Sequence, residues 1–431
     1  MLMCCTLGAP QLSHNSFSLM STQGDSMDVR FNIYHYEDRV NAVLRDIESS
    51  SQICQENKSA IQRFYSNCLA EGLTNARISK LLHHVRRIAT LLNKNFAEAS
   101  REDISRVVRE IETNPAWSMA TKHDFKVILK KFYKSLDGSG EFPEQVKWIK
   151  PNFKKNSHRL PEELLTEEDV RKLVEAAGHP RDKAFILVLY ESGCRIGELL
   201  TLRIKNIMFD SNGAALLVNG KTGQRRVRII ASAPLLSVWL NNHPFRDNPD
   251  SPLWVVVGTK NHHDALGYAS IVAQLRKIAT RAGVNRKVNP HAFRHARATF
   301  LANNLTEAQM KEYFGWVQSS DMASVYVHLS GRDVDNAILK LHGLATEKKN
   351  ENESLKLKNC ARCQEKNAPV SQFCSRCGSP LDIETALELD EKRRTGDEVV
   401  SMLVKDPQVQ EIIVNRILSD SEFRAKMKHI L

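Results

Sequence analysis

Long apolar runs are missing from this 431-residue chain. Its most hydrophobic stretch, Ala184 to Tyr190, falls far short of the roughly 20 residues that cross a bilayer, which excludes a membrane-spanning helix and predicts a soluble protein. No basic segment followed by an apolar core opens the sequence, so no secretory signal is expected. Residues 1–30, with their Ser, Gln and Gly, are expected to form a disordered leader, and Met27 is an alternative start to Met1. A disulfide framework is absent as well. Of nine cysteines, four fall in two Cys-x-x-Cys pairs and the rest are scattered, a usage that suits a reducing compartment; a prokaryotic cytoplasm, an archaeal one included, is the expected setting. The chain also lacks an acidic excess: 61 Lys and Arg against 50 Asp and Glu give a net charge of +11. Such a balance fits a polyanionic partner, whether nucleic acid, a ribosome or an anionic membrane surface.

Strand signals are scarce in the first third. Ile78, Leu81, Leu82, Val85, Ile88 and Leu92 recur at three- and four-residue steps, which predicts one buried helix face. Arg77, Lys80, His84 and Arg87 lie on another. Phe125, Ile128, Leu129 and Phe132 repeat the pattern, with Lys122, Lys126, Lys130 and Lys134 stepping by four on the opposite side. Ser100 with Asp103 reads as a capping box. Residues 31–150 are therefore expected to form an all-helical domain of about four helices. Its cationic faces, Arg77, Lys80, Arg87, Lys122, Lys126, Lys130 and Lys134, are the candidates for a DNA backbone; for any single helix a solvated face explains such a stripe equally well. A basic linker is expected over 151–164. A second domain, 165–345, opens at the capping box Thr166–Asp169 and is mostly helical, including Ala269–Ala282, Ala292–Asn303 and Glu307–Phe314. It contains a hairpin: Ala214–Val218, a turn at Gly220-Lys221-Thr222-Gly223, then Val227–Ile230. Leu253–Val257 reads as a further strand.

Within this second domain five short pieces occur in order: Cys194-Arg195-Ile196-Gly197-Glu198-Leu199, Gly220-Lys221-Thr222-Gly223, His291-Ala292-Phe293-Arg294-His295, Phe314-Gly315-Trp316 and Tyr326-Val327-His328. Each alone is weak. Together they resemble the tyrosine recombinase (phage integrase) family, most closely its Xer-like and Cre-like branches, over roughly Leu165–Gly343. That resemblance implies a mainly α architecture with a small β-sheet: an all-helical, SAM-like core-binding domain followed by an α+β catalytic domain. It also implies site-specific DNA recombination or integration through a 3′-phosphotyrosyl intermediate, with double-stranded DNA as partner and a homotetramer assembled on the recombination site. Two departures stand out. Trp316 occupies a place where His is more usual, as in Cre-like members, and Gly197 replaces a small polar residue.

The chemistry agrees with the resemblance. Exchanging phosphodiesters without ATP or a catalytic metal needs a nucleophile that conserves bond energy as a covalent phosphoryl-enzyme, and a tyrosine hydroxyl can do this. Tyr326 fills the role. Arg195 and Arg294 offer forked donors to the non-bridging oxygens, Lys221 is the general acid for the leaving oxygen, His291 takes or holds the tyrosyl proton, and Trp316 can donate its indole N–H. Glu198, His295 and His328 are expected to support these groups. Singly, Tyr326 could be a packing residue, Arg195 a surface ion pair and His291 a satisfied interior imidazole; Tyr313 is read as core. A silent DNA-binding regulator of the same fold and a type IB topoisomerase are the competing functions.

Beyond a charged linker at 346–358, Cys360-Ala-Arg-Cys363 and Cys374-Ser-Arg-Cys377 predict a zinc ribbon over 359–381, with four thiolates for a structural Zn²⁺ and no catalytic part. The tail, 382–431, is expected to be helical over Ala386–Val404 and Val409–Lys428, packing on the ribbon or a neighbouring subunit.

Overall fold

The computed structural model describes residues 32–152, 164–220, 222–258, 263–329, 342, 355–420 and 422, with His328 and Leu329 described in backbone only. The expected leader, most of the 151–164 linker and Lys221 lie outside the described residues. The first domain is helical throughout: α1 (Tyr36–Glu48), α2 (Gln55–Ala70), α3 (Asn75–Leu92), α4 (Arg101–Thr113), α5 (Met119–Asp137) and a single turn, α6 (Glu144–Lys147). This is one long helix more than the periodicity suggested. The α3 face from Ile78 to Leu92 is buried as expected, and it meets Phe64, Phe96, Leu129 and Phe132. Phe132 lies edge-on to Phe64, with ring centres 5.2 Å apart, an arrangement that adds to the area it buries. The Ser100–Asp103 capping box is present and starts α4 by satisfying backbone donors that the helix leaves open.

In the second domain α7 (Glu167–Ala176) starts at the Thr166–Asp169 capping box, and α8 (Pro180–Ser192) runs through the core, with Ala184 to Tyr190 wholly buried. Then follow α9 (Ile196–Leu200), strands β1 (Ile207–Asp210), β2 (Gly213–Gly220) and β3 (Gly223–Ile229), and the helices α10 (Ala233–Asn241), α11 (Tyr268–Arg281), α12 (Pro290–Ala302), α13 (Glu307–Phe314) and α14 (Met322–Leu329). The expected hairpin is thus part of a three-stranded antiparallel sheet in the order β1-β2-β3. β1 escaped notice because most of its side chains are exposed and give no two-residue alternation. Leu253–Val257 is not a strand. Buried Leu253, Trp254 and Val255 serve the core, and the segment pairs with residues 263–266 through a few backbone hydrogen bonds and an isolated bridge from Val255 to Ala265, short of a strand.

The first domain's opening residues belong with the second domain. Ile33 accepts a hydrogen bond from the Tyr268 amide at 2.9 Å, and Tyr34 packs on Tyr268. A Cβ at Gly197 would sit 3.1 Å from the Tyr34 hydroxyl, so the glycine that departs from the family pattern leaves room for this ring.

After the linker, β4 (Lys358–Asn359) and β5 (Lys366–Asn367) form the small ribbon, which touches the three-stranded sheet where Lys366 donates to the Ser211 carbonyl at 3.2 Å. The tail forms α15 (Ile383–Lys405) and α16 (Pro407–Ser419). Of the two expected packings, on the ribbon or on a neighbouring subunit, the first is not seen for Ile383, Leu387, Met402, Ile412 and Leu418, which are exposed. No helix among the described residues is long and apolar enough to cross a membrane.

Candidate active site

The five sequence motifs converge where α9, the β2–β3 hairpin, α12, α13 and α14 meet, Lys221 itself lying outside the described residues. Arg195 is the N-cap of α9, and its amide donates to Glu198 Oε2 at 2.9 Å. Its guanidinium donates from Nη1 to Glu198 Oε1 at 2.9 Å and from Nη2 to the Gly315 carbonyl at 3.1 Å, while about a third of the side chain stays exposed (34 %). Arg294, on the first turns of α12, is buried. It donates to the Gly193 carbonyl at 2.8 Å and the Phe314 carbonyl at 2.7 Å, and its guanidinium lies 5.0 Å over the Phe314 ring and 5.5 Å over the Trp316 ring. Burial, and next the neighbouring Arg195 charge, push Arg294 down to about 10. Two cations so placed form a site that an anion would stabilise.

Tyr326 lies on α14 and is almost completely buried (3 % exposed). Its ring is parallel to that of Trp316, 5.6 Å between centres, and its hydroxyl is hydrogen-bonded to Nδ1 of His295. Burial raises the phenol to about 12, against an opposing pull from Arg294. The imidazole at the hydroxyl is therefore His295, not the expected His291. The reason is helical geometry: the His291 side chain is exposed in the first turn of α12, and His295 lies one turn further in, where α14 crosses. Trp316 stacks between Phe314 and Tyr326, a packing role in addition to the donor role read from its indole.

Glu198 does more than the sequence suggested. It is buried and binds two guanidiniums, Arg195 and Arg225, the latter through Nη1–Oε1 at 3.1 Å and Nη2–Oε2 at 2.7 Å. Burial would push its carboxyl up, but these partners hold it below its ordinary value. Arg225 was missed by sequence reasoning. Its signal was the alternation of β3: Arg225 shares a face with the buried Val227 and Ile229. Tyr313, read as core, is partly buried and donates its hydroxyl to the Glu191 carbonyl at 2.9 Å. Lys221 is outside the described residues. The loop that holds it is bounded by Gly220 and Gly223, which pair in register, so the loop has two residues. Nothing is described of the His328 side chain.

The cationic faces of the first domain divide. Arg77 and Arg87 are exposed, and Lys80 pairs with Asp124 at 2.7 Å. The α5 stripe is turned inward: Lys126, only 13 % exposed, binds Glu112 at 2.6 Å, Lys122 donates to the Glu112 carbonyl at 2.6 Å and Lys130 to the Ile149 carbonyl at 2.9 Å. Lys130 and Lys134 also lie 4.4 and 5.2 Å over the Phe142 ring. These contacts tie the four lysines, all partly buried, into their own domain.

In the ribbon, the four sulfurs of Cys360, Cys363, Cys374 and Cys377 lie within 4.8 Å of one another, with Cys360–Cys377 at 3.6 Å and Cys363–Cys374 at 3.5 Å. Tetrahedral zinc with Zn–S of about 2.3 Å requires sulfurs about 3.8 Å apart, so the set fits the metal. The two knuckles repeat one backbone turn. Gln364 and Gly378 follow their Cys pairs with φ of 59° and 71°, and each donates its amide to the first cysteine's carbonyl at 2.9 Å.

Comparison with known proteins points the same way. Residues 163–332 match the phage integrase family. Tyrosine recombinase XerA of Pyrococcus horikoshii is 29% identical over 213 residues, covering 49% of this chain and 70% of XerA. Transposase A from transposon Tn554 of Staphylococcus aureus is 25% identical over 282 residues, 63% of this chain and 74% of the transposase. Among solved structures, a lambda integrase dimer bound to a COC′ core site superposes with a TM-score of 0.51 at 15% identity, over 64% of this chain and 78% of that one, which is a likeness of fold.

Proposed function

From the premise that residues 163–332 form the catalytic domain of a tyrosine site-specific recombinase, we propose that this chain cuts and rejoins duplex DNA through a covalent 3′-phosphotyrosyl bond to Tyr326. The observation that carries this reading is the placing of Tyr326, on α14, among Arg294 and His295, both on α12, and Trp316, in the turn between α13 and α14. In the cleavage step Tyr326 Oη bonds to phosphorus as the bond from phosphorus to the 5′ oxygen breaks. His295 accepts the tyrosyl proton, and Lys221 gives a proton to the leaving 5′ oxygen. Arg195 and Arg294 donate to the non-bridging oxygens, whose charge grows in the transition state. His291, exposed at the start of α12, adds a donor to the same phosphate. Attack by the 5′-hydroxyl of a partner strand reverses the step and rejoins the DNA. No ATP or metal is needed for this exchange, because the phosphotyrosyl bond keeps the energy of the phosphodiester.

Exchange of four strands in two duplexes calls for four protomers, a homotetramer on a specific DNA site. The exposed Arg77 and Arg87 of α3 contribute to backbone binding. The ribbon thiolates would hold one structural Zn²⁺, which would fix the fold of a segment too short to bury a core of its own.

The test is a nicked suicide duplex carrying a candidate site, incubated without Mg²⁺ or ATP with the wild-type protein and with Tyr326→Phe. A denaturation-resistant protein–DNA adduct that forms with wild type and vanishes in the variant is expected. Tight binding with no adduct from either protein would make the chain a silent DNA-binding regulator instead.

A further inference from the structure

Glu198 meets two guanidiniums in two different ways. Arg225 grips both carboxylate oxygens, whereas Arg195 holds only Oε1 from its side chain and turns Nη2 to the Gly315 carbonyl. Left alone with one carboxylate, an arginine takes the forked, two-point geometry that Arg225 has here. Arg225 is itself almost buried at 9 % exposure, beside a carboxylate that is 4 % exposed. It also donates from Nε to the Tyr313 carbonyl at 2.9 Å. One residue thus joins three pieces: the β2–β3 hairpin whose loop includes Lys221, the α9 start that carries Arg195, and the end of α13 that precedes Gly315 and Trp316.

We propose that Arg225 is a positioning residue for strand cleavage, one that occupies Glu198 so that Arg195 remains available to the phosphate and locks the Lys221 hairpin to the Tyr313–Trp316 turn. The inference rests on the recombinase reading of the site. Two cations on one carboxylate leave the cluster with a net positive charge, which the scissile phosphate then neutralises. Without Arg225, Glu198 would draw both Nη atoms of Arg195 onto itself and withdraw them from the DNA. The hairpin would lose its main tie to the Gly315 turn, leaving, among the described hydrogen bonds, Thr222 Oγ1 to the Gly315 carbonyl at 3.4 Å.

The experiment compares wild type, Arg225→Gln, Arg225→Lys and the double variant Arg225→Gln/Glu198→Gln. It measures DNA Kd, the single-turnover rate of adduct formation on the suicide duplex, and Tm. Arg225→Gln should bind DNA within about twofold of wild type and cleave at least about 100-fold more slowly, the scale of a displaced transition-state donor. Arg225→Lys should fall between them, since an ammonium cannot fork. The double variant should recover at least about tenfold over Arg225→Gln, because Arg195 is no longer drawn to an under-neutralised carboxylate; a part in folding alone would give no such recovery. Cleavage by Arg225→Gln within threefold of wild type overturns the inference, and so does a double variant no faster than the single one. If Arg225→Gln does not fold, Arg225→Lys decides: an unchanged rate overturns the proposal, and a slowed rate with retained Kd supports it. Crystal structures of wild type and variant read the arginine independently of activity. Arg195 should move onto both oxygens of Glu198, and an unmoved Arg195 overturns the proposal even if no protein forms an adduct, an outcome that would separately sink the recombinase reading.

Discussion

The Tyr326 hydroxyl is hydrogen-bonded to Nδ1 of His295, across the crossing of α14 and α12, while the Tyr326 ring lies flat against Trp316. The Tyr326 side chain, the proposed nucleophile, is therefore held at both ends, by ring stacking on one side and by a hydrogen-bonded imidazole at its tip. Positioned bases contribute about 10²–10⁴-fold in rate. His295→Ala should slow adduct formation by about 100-fold on a suicide duplex, with DNA Kd unchanged. His291→Ala should slow it less, as the loss of one phosphate donor. Equal rates for His295→Ala and wild type would remove His295 from the proton path.

Burial holds the Tyr326 phenol at about 12, against an ordinary value near 10. At neutral pH the hydroxyl is protonated, so deprotonation must accompany attack. The folded pKa is above the unfolded one, so the stability this group contributes is complete below about pH 10 and is lost as pH rises towards 12. Alkaline absorbance titration of wild type minus Tyr326→Phe should show one phenol ionising near pH 12. An ionisation near pH 10 would mean that the ring is solvated.

How far the sequence revealed this site depends on what each residue's place follows from. Arg195, Arg294 and Tyr326 are legible because each is tied to a short motif whose spacing survives in a single chain. The buried faces of α3 and α8 are legible because helical period and continuous hydrophobicity are local properties. Arg225 sits in a run of three arginines, Arg225, Arg226 and Arg228, that reads as a charged edge; only strand pairing shows that it turns inward to Glu198. The partners of the α5 lysines within their own domain were hidden for the opposite reason. A step of four sets Lys126 and Lys130 on one face, but their partners, Glu112 and the Ile149 carbonyl, come from elements on either side of α5 and leave no periodic trace. The choice between His291 and His295 turned on which turn of α12 meets α14, a tertiary fact.

Gly315 takes a left-handed conformation, φ 60°, at the end of α13, and a Cβ there would lie 2.8 Å from Arg225 Nη1. The backbone term alone costs roughly 1–2 kcal/mol for a residue other than glycine. The methyl would also displace the guanidinium, and the Gly315 carbonyl would turn away from Arg195. Gly315→Ala should lower Tm by several degrees and slow cleavage at least about tenfold while the protein still binds DNA. A variant that cleaves at the wild-type rate would show that this turn is only a connection between helices.

The ribbon sulfurs are set for a metal, yet the ribbon meets the second domain at the outer β1–β2 turn, where Lys366 donates to Ser211, and along α10, both away from the β2–β3 loop end of the sheet. Loss of the metal should therefore unfold the ribbon and leave the chemistry in place. Replacing Cys374 and Cys377 by serine should abolish the roughly one zinc per chain expected by metal analysis of the purified protein. Limited proteolysis should then cut within 359–381, because thiolate repulsion and the small apolar content leave nothing else to hold the segment. Adduct formation on the suicide duplex should persist within about threefold. Loss of adduct in a variant that still binds DNA and keeps its Tm would mean that the ribbon reaches the active site by a route other than its Ser211 and α10 contacts, and would give the metal a part in catalysis that its four thiolates do not suggest.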